Sequence, residues 1–390
     1  MDFAHLLTDT YAVVALSVAM LALIYLAIYY GLTFLKIGLK SKKYAPVDDE
    51  SEDDMQFAEG CPSTTVVMVA HNNAQSMREH MPNILVQNVY DYEIIVVDYH
   101  SVDDTNFVIQ VCSADYPNLK CISMQNDVNF FQGKKYPLSM GIRSATGEVV
   151  LLTDPDCEPI HYSWVQHMAE PFTNSNIQMV LGVTRLRTKH NLLGALQQYH
   201  NMAYSCSFLS SALMGHPYTG MGTNMALRRS FFFERDGFIN HYIEPAGADD
   251  IFVNRNATKT NTAVCLDPKA AVTTEGAFSF FTWRYQRRQM YSTRCYYSLM
   301  QRLRLVLRPL MVMVFYLACV VMFLLPSVPW VIPVALLLLK VVWQIVCVGY
   351  AQSLFALRNY HWFAPLLELY FVFSNTFLSI ISLHPKRCNP

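Results

Sequence analysis

The chain is 390 residues long, 53 % hydrophobic and only 15 % charged, with 29 Lys and Arg against 30 Asp and Glu. An ordinary soluble domain carries roughly 25 % charged residues. The balance here excludes an intrinsically disordered chain and supplies no basic surface for nucleic acid. It fits one sizeable globular domain with membrane segments.

After a short N-terminal segment, 1–10, residues 11–35 contain no charge and are long enough to cross a bilayer as a helix. Asp2 and Asp9 precede the run, whereas Lys36, Lys40, Lys42 and Lys43 follow it. The positive-inside rule therefore predicts an outside N-terminus and a chain that emerges in the cytoplasm at the inner (plasma) membrane. The run is too long for a cleaved signal peptide, and its basic residues lie on the wrong side. Residues 36–62 read as a cytosolic linker, because 48–54 is acidic at every position but Ser51.

From 63 to 285 the hydrophobicity becomes patterned. Thr64–Ala70 and Tyr92–Asp98 are nearly continuous apolar runs, as parallel strands covered on both faces should be. Helical patterns at 75–87 and 104–111 follow them, then strands at 120–124 and 147–153. Strand alternating with helix predicts an open, parallel, Rossmann-like α/β sheet. Such sheets bind ligands beyond the carboxyl ends of their strands. That rule selects His71, Asn72 and Asn73, then Asp98, Tyr99 and His100, then Asp154 and Asp156. Neither GxGxxG nor a Walker A pattern occurs, so a nucleotide diphosphate would need another device. The simplest is Mn²⁺ or Mg²⁺ held by the carboxylates of Asp154 and Asp156, whose mutual repulsion a cation relieves.

Residues 286–305 mix Arg287, Arg288, Arg294, Arg302 and Arg304 with Tyr and Leu, predicting an amphipathic helix on the inner membrane surface. Apolar runs follow at 306–326, 329–350 and 362–383. Three further spans would place Lys386 and Arg387 outside, so the last run reads as a span or a re-entrant helix. Lys340 and Glu368 lie inside apolar runs, where pairing within a helix bundle is the first expectation. The ten cysteines, with no CxxC pair, read as reduced thiols.

Ordered along the body, these motifs resemble the membrane-anchored family 2 glycosyltransferases. Val69-Ala70-His71-Asn72 looks like the family's opening strand. YEIIVVDYHSVDDT over 92–105 is similar to the segment ending "VVDDxSxDxT", and Gly133-Lys134-Lys135 begins the next block. Leu151-Leu152-Thr153-Asp154-Pro155-Asp156-Cys157 resembles the metal-binding "LTDxDC" block. GMGTNMALRR over 220–229 is similar to the acceptor-side "GxNxAxRR" block, and Ala248-Asp249-Asp250 stands where the family has its catalytic acid.

The resemblance implies a GT-A-type fold, a nucleotide-sugar donor, a UDP-sugar first, and a lipid-linked or saccharide acceptor. It assigns Asp250 or Asp249 as base, and Asp154 with Asp156 as metal ligands. His71, Asn73, Asp98, Lys134, Lys135, Asp154, Arg287 and Arg288 fall to the donor; Gly222, Thr223, Asn224 and Gln286 fall to the acceptor. Departures are Tyr99 for the second Asp of a pair, Asn73 for a common Glu, and Met290 where "QxxRW" has tryptophan. The last argues for transfer of one sugar. A polyprenyl-phosphate sugar transferase, a processive synthase and an inactive sugar-nucleotide-binding subunit are the alternatives.

Overall fold

The computed structural model describes residues 9–44, 60–89, 91–124, 133–242, 244 and 246–382. The acidic run at 48–54, Lys386 and Arg387 lie outside them. The chain divides into two compact units: Lys40–Thr293, and the N-terminal residues to Leu39 together with the chain from Arg294 onward.

The second of these is helical. Helix α1 (Thr10–Tyr30) is N-capped by Asp9 and runs on through a π-helical turn, Gly31–Leu35, to Ser41.

Among the described residues the α/β unit has ten strands. In chain order its elements are β1 (Thr64–Ala70), α2 (Ala74–Leu85), β2 (Tyr92–Asp98), α3 (Thr105–Asp115), β3 (Leu119–Ser123) and α4 (Lys135–Ser144). Then come β4 (Val149–Leu152), β5 (Glu158–Pro159), α5 (Trp164–Ala169), β6 (Met179–Leu181), β7 (Thr184–Arg187) and the long α6 (Leu192–Leu213). β8 (Met225–Arg228), α7 (Arg229–Glu234), α8 (Asp250–Asn256), β9 (Thr262–Val264), β10 (Val272–Glu275) and α9 (Phe280–Ser292) complete it.

Seven strands form the main sheet in the order β3-β2-β1-β4-β8-β6-β9, and β5-β10-β7 form a small second sheet. β3, β2, β1 and β4 are parallel, as the apolar runs predict. β8 is antiparallel to both β4 and β6, so the sheet is mixed rather than wholly parallel. Because β2 and β4 flank β1 on opposite sides, the strand order reverses there, and a crevice opens beyond the ends of β1 and β4. The sheet holds its shape through burial: Val66, Val67, Met68, Ile94, Val96, Val149 and Leu151 are fully buried. Each such side chain contributes about 1.5–3 kcal/mol.

The segment 286–305 is not one helix. α9 ends at Ser292, a 3-10 turn covers Thr293–Tyr296, and α10 (Leu299–Leu324) starts afresh on a capping box between Ser298 and Gln301. The helical unit continues with α11 (Val331–Ala351) and α12 (Tyr360–Ser382). Among the described residues three helices are long and apolar enough to cross a membrane: Thr10–Ser41, Leu299–Leu324 and Val331–Phe355. Within this unit α1 packs on α10 and α11, and α12 on the same two. Lys340 and Glu368 do pair, in a cluster completed by Tyr30, Tyr316 and Gln344.

Candidate active site

A cavity of about 390 Å³ opens where the crevice lies, a size suited to a small ligand. The ends of β1 and β4 reach it with Val69, Leu152, Thr153 and Asp154. Lys134 and Leu138 come from the start of α4, and Gly222 and Thr223 from the turn before β8. Asp249 and Asp250 come from the start of α8, and Gln286, Gln289, Met290 and Thr293 from the end of the domain.

On the wall made by β4, Lys134 Nζ donates to Asp154 Oδ1 at 2.7 Å. Two residues on, Asp156 Oδ2 accepts from the Thr274 hydroxyl at 3.1 Å, which ties it to β10. Burial, and next the charge of Asp154, push the Asp156 carboxyl up from its ordinary value. Both are oxygen donors of the kind a hard divalent cation takes, although Asp154 lines the cavity and Asp156 does not. Among the described residues no group of three His, Cys, Asp or Glu side chains converges for a metal.

Another part of the lining comes from the start of α8. Gly247, with φ of +85°, turns the chain just ahead of it, a conformation that favours glycine. Asp249 is the helix N-cap: Oδ1 accepts from Asp250 N–H at 2.9 Å and Oδ2 from Gly222 N–H at 2.7 Å. A Cβ on residue 222 would stand 3.3 Å from that oxygen, so glycine keeps the approach close. Both oxygens of Asp249 thus serve backbone donors. Asp250, only 8 % exposed, lines the cavity and accepts a hydrogen bond from the Thr293 hydroxyl. Both adjacent aspartates line the cavity, but their bonding differs: Asp249 spends both oxygens on backbone N–H groups, whereas Asp250 takes a side-chain hydroxyl.

Lys134 and Lys135 also part company. Lys135 is 1 % exposed and donates to the carbonyl of Glu244 at 2.9 Å, which anchors the chain leading to Asp250. Burial lowers its ammonium to about 8, against the opposing charge of Asp250. It stands behind the cavity wall, which corrects its assignment to the donor.

Three more expected residues are corrected. Asn224 is fully buried; its Oδ1 accepts from Trp164 Nε1 at 3.1 Å, and its Nδ2 donates to the carbonyls of Val183 and Ala270, each at 2.9 Å. It joins core elements and does not face an acceptor. Arg287 is 3 % exposed with its guanidinium 5.0 Å from the centre of the Trp283 ring, one helical turn earlier, and Arg288 is exposed on the outer face of α9; neither lines the cavity. Gln286 does line it, at the rim.

His71, Asn73 and Asp98 form a separate edge beyond β1 and β2. His71 Nδ1–H donates to the Tyr99 carbonyl at 2.7 Å, and Asn73 Oδ1 accepts from His71 N–H at 2.8 Å. Asn72 and His100, the residues where the two strands give out, hold φ of +55° and +52°, a conformation uncommon without glycine and concentrated at functional edges. Asp98 is fully buried and accepts from Asn106 Nδ2 at 3.0 Å. Sequence reasoning missed Tyr204, Gln289 and Thr293, which all line the cavity. Tyr204 and Thr293 sit in no motif block, whereas Gln289 falls inside the block at 286–290; α6, α9 and the 3-10 turn after it bring them in.

Against known proteins, residues 65–234 match the family described as Glycosyl transferase family 2. Over 97 residues the chain is 32 % identical to a Campylobacter jejuni subsp. jejuni protein, the GalNAc(5)-diNAcBac-PP-undecaprenol beta-1,3-glucosyltransferase. That match covers 25 % of this chain and 30 % of the relative, less than a third of its length. In structure the chain is similar to mannosyltransferase PcManGT from Pyrobaculum calidifontis, solved in complex with GDP-Man and Mn²⁺. The TM-score is 0.56 at 16 % identity, over 95 % of this chain and 98 % of that one, which is a likeness of fold. With the mixed sheet, the strand-end carboxylates and the family match in agreement, the α/β unit of this chain is a family 2 glycosyltransferase domain of GT-A-like fold.

Proposed function

We propose that the protein is a membrane-bound, inverting glycosyltransferase. It moves one sugar from a nucleotide-diphosphate donor to a membrane-proximal, lipid-linked saccharide in surface polysaccharide or glycolipid synthesis. The observation that carries this reading is that one cavity is lined by Lys134 and Asp154 from one set of elements and by Asp250 from another. The lipid-linked acceptor is supported by the name of the Campylobacter relative, and the basic residues after the first apolar run favour a cytoplasmic domain at the inner membrane.

In this reading Asp250 takes the proton of the acceptor hydroxyl. The acceptor oxygen bonds to the anomeric carbon as the bond from that carbon to the diphosphate oxygen breaks, and the nucleoside diphosphate leaves with the electron pair. Direct displacement inverts the anomeric centre. Lys134 donates to the diphosphate, and Thr293 and Lys135 hold Asp250 and the chain leading to it. A divalent cation, Mn²⁺ or Mg²⁺, held by Asp154 and Asp156 would supply Lewis-acid stabilisation of the leaving group.

The test is calorimetry on the detergent-purified chain with UDP-, GDP- and dTDP-sugars, with and without Mn²⁺. Metal-dependent binding of one nucleotide class, lost in Asp156→Ala, is expected, a UDP-sugar first. Radiolabelled sugar entering membrane lipid in the wild type but not in Asp250→Asn completes it. Equal incorporation by both would remove the mechanism, and absence of donor binding at millimolar concentration would favour an inactive subunit.

A further inference from the structure

Helix α9 carries two faces of opposite character. Trp283, Arg287 and Tyr291, at helical spacing, are buried. Phe281, Arg284, Tyr285 and Arg288, at i, i+3, i+4 and i+7, form one exposed stripe. Phe281 is 81 % exposed and Tyr285 62 %, and Phe278 just ahead of the helix is 84 % exposed. That last exposure does not come from a loose chain. Gly276 N–H donates to the Arg187 carbonyl at 2.8 Å, and Ala277 exchanges hydrogen bonds of 2.7 and 3.0 Å with the side chain of Gln197. On the other side Ser279 caps Thr282 N–H at 3.1 Å. The backbone is pinned on both sides of Phe278, and the ring is presented outward.

We propose that this aromatic and basic face, Phe278 with Phe281, Arg284, Tyr285 and Arg288, is a docking surface for an anionic lipid bilayer. Aromatic rings favour the headgroup level of a membrane, and guanidinium groups pair with lipid phosphates through two parallel hydrogen bonds. Charge complementarity is one-sided here, because no acidic residue occurs between Glu275 and Glu368. Covalent reach points the same way: only six residues separate Ser292 from Leu299, where a helix of membrane length begins. Those steps span at most about 25 Å. All but Arg288 of this surface lies upstream of the 286–305 segment in which sequence composition places an interfacial helix. The proposal is independent of the donor and acceptor assigned above.

Full-length protein carrying p-benzoylphenylalanine at Phe281 would be reconstituted into nanodiscs of phosphatidylcholine, with and without phosphatidylglycerol, and irradiated. Phe107, on α3 and 65 % exposed, is the control position. Mass spectrometry should find lipid adducts at residue 281 several-fold above residue 107. Their yield should rise with phosphatidylglycerol, a rise that R284E/R288E abolishes. Equal capture at both positions, capture at neither, or a cross-link to a second copy of the chain would each overturn the proposal. The readout is covalent lipid capture, so loss of turnover does not affect it.

Discussion

Asp250 in the α/β unit and Glu368 in the helical unit are buried to similar depth, 8 % and 3 % exposed, yet their surroundings differ in kind. Glu368 accepts from the Tyr30 hydroxyl at 2.6 Å and from Lys340 Nζ, and Lys340 in turn reaches Tyr316 and Gln344 at 3.0 and 2.7 Å. Arg308 stands 4.0 Å away. Here a charge in an apolar run meets its complement inside the bundle. Asp250 instead lines a cavity, fixed by Thr293 on one side. A buried charge closed in by partners holds structure together, whereas one that borders an opening is placed to act on what enters it.

The largest expected effect breaks the cavity carboxylate. Asp250→Asn should lower kcat by about 10²–10⁴-fold, the usual worth of a positioned base, with donor affinity by calorimetry unchanged. Asp249→Ala tests the neighbour: a cap lost to alanine costs about 0.5–2 kcal/mol, so thermal stability should fall along with activity. Equal kinetic loss without loss of stability in Asp249→Ala would put the base at the wrong residue.

Next is the closed cluster. Lys340→Leu or Glu368→Leu alone leaves one buried charge facing apolar surroundings and should cost about 3–5 kcal/mol, while the double variant should recover most of it. Thermal unfolding in detergent measures all three. A double variant as unstable as the singles, or one that folds but loses turnover, would move Glu368 into the functional class with Asp250.

Lys135 tests the boundary between the two classes, being buried behind the cavity wall and bonded to the chain leading to Asp250. Its ammonium titrates near 8, below the ordinary lysine value of 10.5. Between those values the unfolded chain binds more protons than the folded one, so stability from this group rises with pH. Activity should move the opposite way, falling above pH 8 as the cation that anchors the base loop is lost. Lys135→Met should lower kcat about tenfold with little change in donor affinity, and Lys135→Arg should keep activity above pH 8. A flat alkaline profile in the wild type would leave Lys135 a packing residue.

The parts of this arrangement that sequence reveals are those with strong local patterns. β1, β2 and β4 show because strands covered on both faces must be apolar at every position, and their ends mark the site. β6, β8, β9 and β10 have three or four residues each, too few for any period to register. The difference in bonding between Asp249 and Asp250 is invisible because it depends on Gly222, 27 positions away. Asn224 sits in the right motif but its amide serves the core. The break in the 286–305 segment could have been found, since Ser298-Leu299-Met300-Gln301 is a capping-box pattern.

The smallest effect concerns a third buried carboxylate, which belongs with Glu368. Glu93 on β2 accepts from the Thr65 hydroxyl at 2.8 Å, Thr146 N–H at 2.5 Å and Lys120 Nζ at 2.7 Å. Burial acts to raise its carboxyl, but Lys120 and the hydrogen bonds outweigh it and hold the group at about 2, below the ordinary 4.5. A carboxylate lowered by folding stabilises fully above its unfolded value, and that contribution fades as pH falls from 4.5 towards 2. With Lys120 half exposed and screened by solvent, the contribution is on the order of 1–2 kcal/mol. Glu93→Gln should therefore lower the unfolding temperature at pH 7 and flatten its decline below pH 4.5, followed by tryptophan fluorescence. Since Glu93 stands apart from the cavity, donor affinity at pH 7 should not change. A variant that kept its stability but lost donor binding would show that closure by partners does not by itself mark a buried charge as structural.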